Sequence, residues 1–125
     1  MPDSLTAKRI VVVEDDGLTS QSLCDHFQSH NSVQAFASAE LLLENRSDLN
    51  DIDIFIVDYR LPGMDGVELF QKLKHDFPNA KFICISGDIS MELASTINDI
   101  GFDALILKPF DFSILEQNIA SLTAA

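Results

Sequence analysis

Positive charge is scarce in this sequence. Eight lysines and arginines stand against 20 aspartates and glutamates, a formal net charge of −12. Such a surface repels phosphate backbones, so direct binding of nucleic acid is not expected. Long apolar runs are also missing: none approaches the roughly 18 residues that a membrane-spanning helix needs. The opening MPDSLTAKRI lacks the charged-then-apolar pattern of an export signal, and the expected location is the cytoplasm. The two cysteines, Cys24 and Cys84, sit in apolar settings without CxxC spacing. They are expected to be small buried hydrophobes rather than disulfide partners or metal ligands. No glycine-rich phosphate loop is present, which argues against a nucleotide hydrolase. Repeats, linkers and low-complexity segments are absent as well.

What is present is a regular alternation. With 125 residues and a 46% apolar content, the chain fits one domain, 1–125, whose residues 1–7 form an N-terminal extension. KRIVVVE, SVQAFA, DIFIVD, AKFICIS and DALILK are short, β-branched or apolar runs and are predicted strands. Between and after them lie predicted helices: DGLTSQSLCDHFQSH, capped by Asp15 or Asp16; SAELLLENR; GVELFQKLKHDF; SMELASTINDIGF, ended by Gly101; and DFSILEQNIASL, capped by Asp111. Strands alternating with helices imply parallel pairing through crossovers, and the all-apolar runs IVVV, IFIV and LIL suit strands covered on both faces. The expected fold is α/β: a flavodoxin-like, doubly wound (βα)5 three-layer sandwich with parallel sheet order 2-1-3-4-5.

In such a sheet, ligands sit beyond the carboxyl ends of the strands. There the first strand ends in Glu14, Asp15 and Asp16, the third in Asp58, the fourth in Ser86 and Gly87, and the fifth in Lys108. Each has an ordinary explanation as a cap, turn former or surface group; together they form a constellation. Carboxylates brought close repel unless a proton or a metal intervenes. An all-oxygen site with room for water suits Mg2+. A cation would keep Asp58 ionised as a nucleophile, with Lys108 and Ser86 holding phosphoryl oxygens and Gly87 leaving space. Phosphoryl transfer needs little beyond such placement.

VVVEDD, IVDYRLPGMDG, CISG and LKPF, in that order and spacing, resemble the receiver domain of two-component response regulators across essentially the whole chain. The resemblance implies phosphorelay signalling. Asp58 would be the phosphoacceptor, served by a sensor histidine kinase, a phosphotransfer protein or a small acyl phosphate. It implies Asp15 as a direct Mg2+ ligand, Glu14 acting mainly through water, and the backbone carbonyl of Arg60 completing the protein ligands. Ser86 and Lys108 match the switch hydroxyl and the phosphate-binding lysine, and the Lys108–Pro109 bond is expected to be cis. Phosphorylation would bias the surface of the fourth helix, fifth strand and fifth helix, with Leu93, Ile97 and Leu105 in or beneath it. Such a domain is a switch rather than an enzyme, although it promotes its own phosphoryl transfer and autodephosphorylation.

The sequence departs from the family pattern at Leu105, where Tyr or Phe is frequent, which puts the usual aromatic readout in doubt. Arg60 and Asp88 are expected to pair over the pocket. His26, His30 and His75 share no ligand spacing and are expected to be solvated, and Phe110 to anchor the last helix. A haloacid-dehalogenase-type phosphatase or a toprim-like nuclease wants an acid two residues beyond Asp58, where Arg60 stands. A phosphorylation-independent docking module is the alternative; the acid pair, acceptor and lysine it would have lost are all present. The expected partners are the phosphodonor and either a downstream effector or an output domain beyond Ala125. The Met-initiated start favours an N-terminal receiver. A homodimer stays among the candidate assemblies, although the last helix has too few basic residues for a charge-laced dimer face.

Overall fold

Along each central strand, alternate side chains point to opposite faces, so a run of branched apolar residues serves two cores at once. In the computed structural model, which describes residues 8–87 and 90–123, four of the five residues of β1 (Arg9–Val13) and all five of β3 (Ile54–Asp58) are buried. Val11, Val13, Phe55, Val57, Phe82 and Cys84 face one core. Ile10, Val12, Ile54, Ile56, Ile83 and Ile85 face the other.

The remaining elements are α1 (Gly17–Phe27), β2 (Ser32–Phe36), α2 (Ala39–Glu44), a 3-10 turn (Arg46–Asp48), α3 (Gly66–Asp76), β4 (Lys81–Ser86), α4 (Met91–Ile100), β5 (Ala104–Leu107) and α5 (Phe112–Thr123). All strand pairs are parallel, in the order β2-β1-β3-β4-β5. The flavodoxin-like doubly wound fold is therefore the one present. Leu42, Leu69, Leu73, Leu93 and Ile97 bring α2, α3 and α4 to the first core. Leu23, Phe27, Leu115 and Ile119 bring α1 and α5 to the second. Among the described residues, no helix is long and apolar enough to cross a membrane.

Local chemistry sets the helix ends. Asp16, not Asp15, caps α1, its carboxylate accepting from the Thr19 amide at 3.1 Å. Ser38, Asp65 and Ser90 do the same for α2, α3 and α4. Gly101 ends α4 in the left-handed region at φ 117°. Asp111 accepts from the Ser113 amide at 2.9 Å as α5 begins.

Three expectations need correction. LIL is not covered on both faces: β5 is an edge strand, Leu105 is half-buried and Leu107 is 42% exposed. Cys84 is buried, its thiol pushed up to about 12 by burial and then by the nearby Asp58, but Cys24 is only half-buried. His26 is not merely solvated: its ring stacks on Phe112 at 4.2 Å between centroids, and its Nε2 contacts Glu116 Oε1, joining α1 to α5. Phe110 packs on the α1/α5 core and meets Phe112 edge-on at 5.7 Å, as expected of an anchor.

Candidate functional site

Sheet register brings the strand-end groups together. Val13 pairs with Val57, so Glu14 leaves β1 beside Asp58 at the end of β3. Asp58 pairs with Ile85, and Ser86 with Leu107, which sets Ser86 and Lys108 across the same crevice. The chain winds one way from β1 to β2 and the other way from β3 onward. The crevice lies at that switch point, where no crossover covers the strand ends.

Asp58 and Glu14 are 5% and 1% exposed, whereas Asp15 is open to solvent. One carboxylate oxygen from each of Glu14, Asp15 and Asp58 lies within 4.8 Å of the others. Lys108 Nζ donates to Asp58 Oδ2 at 2.7 Å and to Glu14 Oε1 at 2.5 Å. The other Asp58 oxygen, Oδ1, accepts from the Arg60 amide at 2.9 Å. Ser86 is 1% exposed, and its carbonyl accepts from the Lys108 amide at 2.7 Å, tying hydroxyl and ammonium to one backbone link. The Lys108–Pro109 peptide is cis. A side chain at Gly87 would meet nothing within 4 Å among the described residues.

Burial pushes the Glu14 carboxyl up to about 7; the neighbouring Asp58 adds to this and Lys108 opposes it. Burial alone would lower the Lys108 ammonium, but its bonds to Asp58 and Glu14 outweigh that and raise it. Three carboxyl groups thus face one ammonium, and the most enclosed of them, Glu14, holds its proton more tightly than a free carboxyl.

Every strand-end residue named from the sequence is here except Asp16, which turns away to cap α1. Lys108, which the resemblance gives a phosphoryl oxygen to hold, bridges the Glu14 and Asp58 carboxylates. The proposed Arg60–Asp88 pair lies outside the described residues. Glu40, which no motif singles out, reaches from α2 to the loop after β3, accepting from the Met64 amide at 2.9 Å. Beside Lys108, Leu18, Thr19, Ser22, Phe110 and Phe112 help line a cavity of about 440 Å3.

Residues 10–120 match the family described as response regulator receiver domain. The chain is 28% identical over 119 residues to the CAI-1 autoinducer sensor kinase/phosphatase CqsS of Vibrio cholerae, covering 91% of this chain and 17% of that protein. It is 28% identical over 121 residues to transcription factor prr1 of Schizosaccharomyces pombe, covering 94% of this chain and 22% of that protein. It therefore spans only a minor part of the length of either relative. In fold it is similar to the BeF3-activated DrrB receiver domain, with a TM-score of 0.86, 22% identity, and coverage of 96% of this chain and 100% of that one. The chain belongs to the family of response regulator receiver domains, the phosphoacceptor switches of two-component signalling.

Proposed function

We propose that Asp58 accepts a phosphoryl group, in a Mg2+-dependent transfer, from a phosphohistidine of a sensor histidine kinase or phosphotransfer protein, or from a small acyl phosphate. The observation that supports this is the placement of Asp58: a nearly buried strand-end carboxylate, held by Lys108 beside Glu14 and Asp15.

The donor set is all oxygen and partly open to water, which fits Mg2+. Asp15 and Asp58 would be direct ligands together with the Arg60 carbonyl, and Glu14 would act mainly through water. When bound, Mg2+ offsets carboxylate repulsion and the charge of the incoming group. An Asp58 oxygen attacks phosphorus, forming an acyl phosphate; the bond from phosphorus to the donor's imidazole nitrogen or carboxylate oxygen breaks, and the donor leaves with that electron pair. Lys108 exchanges a carboxylate contact for a phosphoryl oxygen, and the Ser86 hydroxyl donates to another. Hydrolysis reverses the state: water attacks phosphorus, inorganic phosphate departs and the Asp58 carboxylate is restored. The cavity beside Lys108 offers a protein donor an apolar foothold.

In this reading the switch is carried to the face of α4, β5 and α5. Leu93 and Ile97 are buried beneath it and half-buried Leu105 packs against the same core, so the signal passes through aliphatic packing. The surface acts on an effector protein or an output domain, with no nucleic acid bound by this domain; the setting is the cytoplasm. The test is intact-mass analysis after incubation with acetyl phosphate, with and without Mg2+, for the wild type and Asp58→Asn. One Mg2+-dependent adduct, lost in the variant, is expected. No adduct, together with no uptake of beryllofluoride, would overturn the proposal in favour of a docking module.

A further inference from the structure

In the proposed function the segment after Asp58 both turns the chain and supplies the Arg60 carbonyl as a metal ligand, so whatever holds that loop would hold a ligand in place. Its ends are tied to the sheet: the Tyr59 amide donates to the Ile85 carbonyl at 2.9 Å, and the Gly66 amide to the Tyr59 carbonyl at 3.2 Å. Leu61 is buried among the first core. In the outer arm Pro62 and Gly63 are exposed and the half-buried Met64 side chain packs on the first core, which leaves the backbone of the arm to be held by other contacts.

Glu40, on α2, is what reaches it. Its Oε2 accepts from the Met64 amide at 2.9 Å. The backbone is shaped to this carboxylate: Gly63 is at φ 73°, and a Cβ there would stand 2.6 Å from Glu40 Oε2. The same bond, followed by one from its own amide, holds the Glu40 carboxyl below the ordinary carboxylate range, so it is an ionised acceptor at neutral pH.

We infer that Glu40 is a positioning residue for the metal site: by clamping the Met64 amide it fixes the loop that carries the Arg60 carbonyl, and so raises the affinity for Mg2+ without touching the ion. The inference rests on the proposed Mg2+-dependent function. Groups one step removed from a metal act in this way when they orient its ligands.

The test is Mg2+ titration of the intact chain. It can be followed by the fluorescence of Tyr59, the sole tyrosine in a sequence without tryptophan and a neighbour of Asp58. Hydrogen exchange of the Met64 amide is measured in parallel on the metal-free protein. Glu40→Ala should weaken Mg2+ about three- to tenfold and expose the Met64 amide, with the thermal midpoint little changed. Glu40→Gln keeps an acceptor oxygen and should restore affinity to within about twofold of wild type. Gly63→Ala, which crowds the carboxylate off the amide, should weaken Mg2+ as well, and adding Glu40→Ala to it should cost little more. A Glu40→Ala protein that binds Mg2+ as tightly as wild type overturns the inference alone. Weakened binding with Met64 still protected overturns the route through the loop. Wild-type protein that binds no Mg2+ at millimolar concentration overturns the metal reading, and this inference with it.

Discussion

The Lys108 ammonium stands 2.7 Å from the Asp58 carboxylate, across 50 residues of sequence. It also reaches Glu14, so one cation spans the ends of β1, β3 and β5. A buried acid pair with a single ammonium is undercompensated, and the consequence appears at Glu14, the more enclosed of the two acids.

Metal-free stability should depend on that residue. Glu14 is raised from an ordinary 4.5 to about 7. Between those values the folded chain keeps a proton that the unfolded chain has lost, so stability falls as pH rises from about 4.5 to 7 and levels off above. The drop is about 3 kcal/mol by the linkage of pKa shift to free energy. Urea unfolding of wild type and Glu14→Gln across that range in Mg2+-free buffer checks it. Taking the difference between the two proteins isolates Glu14 from every other titrating group. A flat difference would mean that Glu14 ionises freely in the fold.

Gly66 opens α3 directly against the acceptor strand: a Cβ there would stand 2.5 Å from the Asp58 carbonyl oxygen and 3.2 Å from Tyr59 Cα. Gly66→Ala gains helix propensity yet should destabilise the chain by about 1–3 kcal/mol through overpacking. It should also slow uptake of the phosphoryl group by displacing Asp58. A denaturant midpoint equal to or above wild type would show that this strand end yields at little cost.

His26 predicts a separation of stability from chemistry. It stacks on Phe112 and contacts Glu116, joining α1 to α5. His26→Ala should cost about 1 kcal/mol by loss of the stack and an exposed ion pair. Acetyl phosphate labelling of Asp58 should be unchanged. Equal loss of labelling and stability would place α1–α5 packing within the switch.

Much of this was legible because short-range rules govern it. The short, β-branched apolar runs, an aspartate cap at the start of α1 and Gly101 follow from local chemistry, and parallel pairing follows from the strand–helix alternation. Once the sheet order is set, the acids, the serine and the lysine at strand ends must converge. Edge exposure was less legible. LIL reads like IFIV, but whether an apolar run has a neighbour on both sides depends on its place in the sheet. Asp15 and Asp16 were likewise interchangeable in sequence; the direction in which α1 departs makes one a cap and leaves the other at the crevice.

By itself, then, the sequence determined the elements, their order and the set of groups gathered at one sheet edge, because these depend on side-chain type and on distance along the chain. Only the tertiary structure decided that Lys108 bridges Glu14 and Asp58, that Glu40 holds Met64 and that His26 joins α1 to α5. Those contacts join residues 24 to 94 positions apart, and no spacing rule encodes such pairs. They arise when the packed elements bring a charge, an amide or a ring within reach of a partner.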